Sequence, residues 1–133
     1  MSNSAFVLVL LACAGCPRGG GGDDCIENNE CPGTEVCGRD KSCTDPSNVR
    51  EVTVTWTVNG APANTVSCSG RDFTLAFLGD GFDDELAFAP VPCVTGQFFV
   101  DRLPRRFRSV QLGDGGVVVP IRSDGTATGD LRF

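Results

Sequence analysis

The sequence contains no histidine and no tyrosine among its 133 residues, and Lys41 is its only lysine. Histidine is the commonest general base and metal ligand, so its absence removes the usual activator of a nucleophilic serine or cysteine. The chain also lacks a Gly-x-Ser-x-Gly elbow, and no lysine follows its glycine run as in a phosphate-binding loop. We therefore expect a protein that is not an enzyme, with no catalytic residues and no cofactor.

Positive charge and long apolar runs are also scarce. The formal net charge is −6, which argues against a nucleic acid partner because such partners need a basic surface. The longest uncharged, mostly apolar run covers residues 5–15, fewer than the about 20 that a membrane-spanning helix needs. This length fits the apolar region of an export signal, although no basic residue precedes it.

Residues 10–16, which contain Cys13 and Cys16, resemble the lipobox of bacterial lipoproteins. In that motif a small residue precedes the cysteine that becomes acylated. The resemblance implies a signal peptide over residues 1–15, a palmitate-type lipid anchor and the membrane as a partner. Pro17 stands where some bacteria place an aspartate for inner-membrane retention. The resemblance therefore implies an exported lipoprotein of the outer membrane, on its periplasmic or cell-surface face.

Two cysteines compete for the lipid. Leu10 stands three places before Cys13, as the lipobox favours, whereas Cys16 follows the small residues Ala14 and Gly15. Lipidation of Cys16 leaves an even number of cysteines, and lipidation of Cys13 leaves an odd one. We predict Cys16, with Cys13 as the alternative. Ordinary cleavage after Ala14 would instead release the exported chain without a lipid.

A glycine-rich tether and a cysteine-rich module follow. Residues 16–24 include four consecutive glycines, which form a flexible spacer. Residues 25–45 carry four evenly spaced cysteines but only Ile26 and Val36 as other strongly apolar residues, so covalent links must replace a core. The cysteines are Cys25, Cys31, Cys37 and Cys43. Three disulfide connectivities are open, and zinc is a weaker rival because its motifs usually bring cysteines in closer pairs.

The turn Cys31-Pro32-Gly33 and the closing Cys43 resemble the short cysteine-rich modules near the N-termini of many Gram-negative lipoproteins. The resemblance covers about nineteen residues of the chain. It implies crossed disulfides, Cys25–Cys37 and Cys31–Cys43.

The pattern changes to strands from residue 49 onward. Val52, Val54, Trp56 and Val58 alternate with threonines, which predicts a half-buried strand with Trp56 in the core. Further strands are predicted at 73–77, 85–88, 97–100, 107–112, 117–119 and 127–133. We expect prolines 90 and 92 to end the strand at 85–88, a turn at 103–104, and a bulge within 107–112. About seven short strands predict a mainly β fold, a sandwich.

A second resemblance covers most of residues 50–133. It rests on 56–62, Cys68, 92–98 and 103–104. These residues look like a domain of secreted bacterial lipoproteins that is similar to immunoglobulin-like sandwiches of the prealbumin or carboxypeptidase-regulatory type. The resemblance implies an antiparallel Ig-like β-sandwich over 49–133 and a Cys68–Cys93 disulfide. The sequence departs from the family at Arg105 and Arg106, where a small turn residue is usual.

Two charge clusters remain as candidate sites. The acidic loop consists of Asp80, Asp83, Asp84 and Glu85. It offers oxygen ligands for calcium, but its spacing matches no EF-hand and a solvated turn is favoured. The arginine cluster consists of Arg102, Arg105, Arg106 and Arg108. It is a candidate interaction patch for anionic headgroups or an acidic partner, with an exposed loop and strand face as the other interpretation.

The expected function is therefore binding without catalysis. We expect a membrane-anchored surface or periplasmic lipoprotein whose ectodomain interacts with an envelope protein or glycan. The alternative is a structural spacer or accessory subunit of an envelope complex with no ligand of its own.

Overall fold

The computed structural model describes residues 24–133. The predicted signal peptide, Cys13, Cys16 and all but the last residue of the tether lie outside the described residues. The strands are β1 Val36–Cys37, β2 Cys43–Thr44, β3 Val49–Val58, β4 Ala61–Pro62, β5 Asp72–Leu78, β6 Glu85–Pro92, β7 Gln97–Pro104, β8 Ser109–Leu112, β9 Val117–Pro120 and β10 Thr126–Leu131. A short helix, α1, spans Thr65–Cys68, and 3-10 turns span Asn28–Glu30, Pro46–Asn48 and Cys93–Thr95. Among the described residues, no helix has the length and apolar character needed to cross a membrane.

Strand β3 is the centre of the first sheet. From Val52 to Val58 three valines and Trp56 alternate with threonines, and these four apolar side chains are at most 4% exposed, as a strand with one buried face requires. One edge of β3 pairs in parallel with β10. The other edge pairs antiparallel with β7 and, beyond the turn at 59–60, with β4.

The second sheet has the order β6–β5–β8–β9 and is antiparallel throughout. Its inner face contributes Phe73, Leu75 and Phe77 from β5 and Val110 and Leu112 from β8 to the core shared with β3. The mainly β prediction, with a cysteine-rich segment ahead of a sandwich, is confirmed. Two four-stranded sheets make the sandwich.

One strand pair differs from the antiparallel expectation. Strand β10 runs parallel to β3, with Thr126 opposite Thr53 and Leu131 opposite Val58. Residues 59–125, which contain the whole second sheet, connect β3 to β10, so the connection far exceeds the dozen or so residues that parallel neighbours need. Alternation of apolar and polar residues is the same in both pairings, so the sequence pattern could not show the direction.

Several strand ends differ from the sequence prediction. Strand β6 continues through Pro90 and Pro92 because it is an edge strand, where a missing N–H is tolerated. The predicted turn at Leu103–Pro104 is wrong, since both residues close β7. Phe107 precedes β8 in a turn, so no bulge within that strand is needed to bury it.

Three disulfides connect the pairs that the two resemblances implied. Cys25–Cys37 and Cys31–Cys43 cross within residues 25–45, and their Cα separations are 5.7 and 5.4 Å. The third, Cys68–Cys93, joins α1 to the turn after β6 at 5.7 Å. Sulfur atoms of Cys25, Cys31 and Cys43 lie within 4.8 Å of one another because two bridges are neighbours. The thiolates that zinc would need are therefore committed to disulfides.

Candidate functional site

The arginine cluster faces the cysteine-rich module (residues 25–45). Arg102 donates from Nη1 to the Asn28 side-chain oxygen at 2.7 Å, and Arg105 donates from Nε to the Ser47 carbonyl at 2.8 Å. These contacts bind β7 and the following turn to the segment that precedes the sandwich. The patch that the sequence suggested for an outside partner is thus largely used within the chain.

Arg106 joins three parts of the structure. Its Nη1 lies 2.8 Å from an Asp40 oxygen in the module, and its Nε lies 2.9 Å from an Asp84 oxygen in the acidic loop. The guanidinium also lies over the Phe107 ring, 4.5 Å from the ring centre. Burial alone would raise the pKa of Asp40, but hydrogen bonds from Ser42 and Arg106 outweigh it and hold that pKa below its usual value.

A bulge in the first sheet orients the Arg102 side chain toward the module. The register of β3 against β7 shifts between Arg50 and Val52, and Arg102 has the left-handed φ of 51°, which is strained for a residue with a side chain. Its carbonyl accepts the Arg39 main-chain N–H at 3.0 Å. The Arg39 guanidinium also pairs with the Asp101 carboxylate. Charged and main-chain contacts together hold the module on the end of the sandwich.

The acidic loop is partly neutralised by the same arginines. Besides the Arg106–Asp84 pair, an Arg108 nitrogen lies 3.5 Å from an Asp80 oxygen, with both side chains mostly exposed. Asp83 and Glu85 are exposed and form no ion pair within 4.0 Å among the described residues. Two of the four proposed calcium ligands therefore face guanidinium groups, an arrangement that favours a surface turn over a cation site.

A groove lies at the opposite end of the sandwich. The module leads into the start of β3 and contacts the end of β7, whereas the groove is formed where β5 and β9 begin and where β8 and β10 end. Ten residues of β3 separate the two ends, which is about 30 Å at the usual rise per residue. This distal groove has a volume of about 760 Å³, within the range of known ligand sites.

The floor of the distal groove is apolar. The core residues Phe73, Leu112 and Leu131 form it, and the half-exposed Val117 and Phe133 stand at its edge. The turn at 113–116 contributes three glycines and no large side chain. A Cβ on Gly116 would overlap the Leu112 carbonyl oxygen, so glycine is required for this tight turn.

Four charged side chains line the distal groove: Asp72, Asp114, Asp130 and Arg132. Asp130 accepts hydrogen bonds from the Thr57 hydroxyl at 2.7 Å and the Gly60 N–H at 2.8 Å. These two hydrogen bonds hold the pKa of Asp130 below its usual value, and the bond from Thr57 has the larger effect. A carboxylate held ionised in this way is a poor proton donor or base near neutral pH.

No pattern in the sequence pointed to the distal groove. Its lining comes from five strands and the chain segments beside them, which are brought together only by the two-sheet arrangement. Predicted strands supplied part of this lining, but no local pattern showed that they would meet at one end of the sandwich.

Comparison of the chain with protein-family models, with curated proteins and with solved structures found no match in any of the three. The distal groove and the disulfide-braced module are therefore the structural basis for any functional assignment.

Proposed function

We propose that this protein is a membrane-anchored lipoprotein of the cell envelope whose non-catalytic ectodomain binds a partner through the distal groove. The observation that carries the proposal is that the module and the distal groove lie at opposite ends of the sandwich. The chain enters the described structure at the module, and the groove opens at the other end of β3. A chain anchored at Cys16 would thus present its groove away from the membrane.

The anchor is supported by the sequence and by the disulfides. Residues 5–15 fit an export signal, and residues 10–16 resemble a lipobox. All six cysteines of the described residues are paired, which is typical of an oxidising compartment such as the periplasm or the cell surface. Lipidation of Cys16 would leave no unpaired cysteine in the mature chain, whereas lipidation of Cys13 would leave Cys16 as a thiol.

The tether sets how far the ectodomain stands from the membrane. Eight residues, 17–24, separate Cys16 from the module. Fully extended, they span at most about 28 Å. Adding the length of β3 would place the groove several tens of ångströms from the bilayer, within reach of other envelope components.

We assign the sandwich to the Ig-like domains of the prealbumin or carboxypeptidase-regulatory type and the anchor to the outer membrane. The two packed sheets and the Cys68–Cys93 bridge agree with that assignment, while the parallel β3–β10 pair is a departure from an all-antiparallel sandwich.

Lipid labelling tests the anchor. Cells expressing the full-length chain are fed an alkyne analogue of palmitate, and the purified protein is scored for the label. Cys16→Ser should abolish labelling while Cys13→Ser should retain it, and globomycin should make the precursor accumulate. The opposite result for the two variants would assign the lipid to Cys13, and normal processing under globomycin would refute the lipoprotein proposal.

Site-directed crosslinking tests the use of the groove. A photoreactive amino acid is placed at Val117, which lines the groove, or at Val118, the next residue of β9, which does not. The two side chains are 46% and 50% exposed, so they are matched in access to solvent. Crosslinks in intact cells should form from 117 and not from 118. An absence of crosslinks from both positions would favour the spacer or accessory-subunit alternative.

A further inference from the structure

We infer that the distal groove takes a basic peptide segment of a partner protein, in which a lysine or arginine side chain lies next to a bulky apolar one. This inference rests on the proposed use of the groove for binding and names the chemistry of the partner. It combines two independent features of the groove, an apolar floor and carboxylates that the chain leaves without a cation.

The apolar feature is the surface between the two sheets. Leu112 and Leu131 line the groove from beneath and are almost fully buried. Val117 and Phe133 are each nearly half exposed and flank that floor. A bulky aliphatic or aromatic side chain would cover both flanks and remove apolar surface from water.

The second feature is an excess of carboxylates over guanidinium groups at the edge of the groove. Arg132 lies 3.6 Å from Asp130 and compensates that carboxylate. Asp72 and Asp114 also line the groove, are exposed, and form no ion pair within 4.0 Å among the residues that the structure describes. Two uncompensated carboxylates beside an apolar floor are complementary to a cation carried on an apolar stem.

The chain itself places a cation against the groove. The Arg71 guanidinium lies over the Phe133 ring, 4.9 Å from the ring centre, so one aromatic flank already accepts a basic side chain on its face. Even with Arg71 counted, the groove and its border carry three carboxylates against two guanidiniums. An anionic headgroup, phosphate or nucleic acid would meet net repulsion there.

Peptide binding to the lipidated full-length protein, purified in neutral detergent, tests the inference. The probes are three fluorescent twelve-residue peptides of alternating leucine with lysine, glutamine or glutamate, and binding is read by fluorescence anisotropy. The lysine peptide should bind saturably, at least about fivefold more tightly than the glutamine peptide, and the glutamate peptide should bind weakest. Raising the salt concentration should weaken binding of the lysine peptide and leave binding of the glutamine peptide nearly unchanged.

Matched variants locate the binding. Asp72→Asn with Asp114→Asn removes two groove carboxylates and should lower the affinity for the lysine peptide about fivefold. Asp83→Asn with Glu85→Gln removes two exposed acids at the opposite end and should change it less than twofold. Circular dichroism and the thermal midpoint of each variant report whether the fold is retained.

A second pair of variants tests the apolar part of the groove. Val117→Ser should weaken both the lysine and the glutamine peptide several-fold because both place leucine on the floor. Val118→Ser, on the other face of the same strand, should leave both unchanged.

The outcomes separate the inference from the proposed function. Equal binding of the three peptides, or equal effects of the two acid pairs, would overturn the inference. Binding of no peptide, while crosslinks still form from position 117 in cells, would also overturn it and leave the groove as a binding site of other chemistry. Loss of those crosslinks as well would remove the proposed function itself.

Discussion

The indole N–H of Trp56 donates a hydrogen bond to the main-chain carbonyl of Cys93, with a nitrogen–oxygen distance of 2.9 Å. Trp56 belongs to the first sheet, and Cys93 follows the edge strand of the second. Both are buried, and the indole also packs edge-on against Phe73, with ring centres 5.0 Å apart. Since Cys93 is bonded to Cys68, this contact links the first sheet to the disulfide beside the second.

Replacing Trp56 by phenylalanine should therefore destabilise the sandwich by about 2 kcal/mol. The change removes one of the two hydrogen bonds to the buried Cys93 carbonyl, the other being donated by the Gly96 N–H at 3.2 Å, and it opens a small cavity beside Phe73. Urea unfolding should be followed by circular dichroism, because Trp56 is the only tryptophan and its fluorescence is lost. Phe99→Leu on the exposed outer face is the control and should cost less than about 0.5 kcal/mol. Equal effects of the two changes would contradict a core role for Trp56.

The disulfides should differ in what they stabilise. Replacing Cys68 and Cys93 by alanine should lower the free energy of unfolding of the sandwich by roughly 3 kcal/mol, since the bridge restricts the unfolded chain and both residues belong to the core. Replacing Cys25 and Cys37 should instead loosen the module alone, because it has no hydrophobic cluster to hold it.

Limited proteolysis with mass spectrometry distinguishes the two effects. Loss of the Cys25–Cys37 bridge should expose new cleavage sites within residues 25–45 and shift the thermal midpoint of the sandwich only slightly. Cleavage spread evenly over the chain would instead show that the module and the sandwich unfold as one unit.

The strand pattern could be predicted from the residues because it leaves a local trace. Alternation along 52–58 follows directly from one buried face of a strand. The disulfides followed from the two resemblances. The predicted strand ends were less accurate. Prolines such as Pro90 and Pro92 would end a central strand but are tolerated in an edge strand, and which strands lie at an edge depends on the whole sheet.

The sites could not be predicted because they depend on which distant residues meet. The arginines at 102–108 were visible as a basic run, but their partners, Asn28, Asp40 and Asp84, come from two other segments. A run of one charge indicates an outside partner only when no internal one is close. Asp72 and Asp114 gave no signal, since neither lies in a cluster along the chain.

Arg106 should be needed for the module to stay docked. Asp40, whose side chain is 12% exposed, would lose its ion pair in Arg106→Gln, and an unpaired, largely buried carboxylate is unfavourable. We expect faster hydrogen exchange of the module amides, with the exchange of β3 and β5 unchanged. Arg122→Gln is the matched control, since Arg122 is exposed and forms no ion pair within 4.0 Å among the described residues. If the control accelerated exchange equally, net charge and not the Arg106 contacts would explain the effect.

Acid should weaken the same junction. Burial would raise the pKa of Asp101, but its hydrogen bond from Arg39 and the charges of Arg39 and Arg102 outweigh this and lower it; the pKa of Asp40 is lowered in the same sense. A carboxylate with a lowered pKa stabilises the folded chain fully above its ordinary value, about pH 4. As the pH falls below that value, the unfolded chain takes up the protons first and the stabilisation is lost.

The pH dependence of stability tests this link, measured by urea unfolding at steps from about pH 6 to pH 2 in constant salt. The native chain should lose stability most steeply below about pH 4. Asp40→Asn with Asp101→Asn should be less stable at pH 6 and flatter below pH 4, because the two groups no longer titrate. Asp72→Asn with Asp114→Asn removes the same number of exposed acids at the opposite end of the sandwich and should keep the native slope. An unchanged slope in the first double variant would show that the Arg39 and Arg106 contacts do not contribute to stability through these two carboxylates.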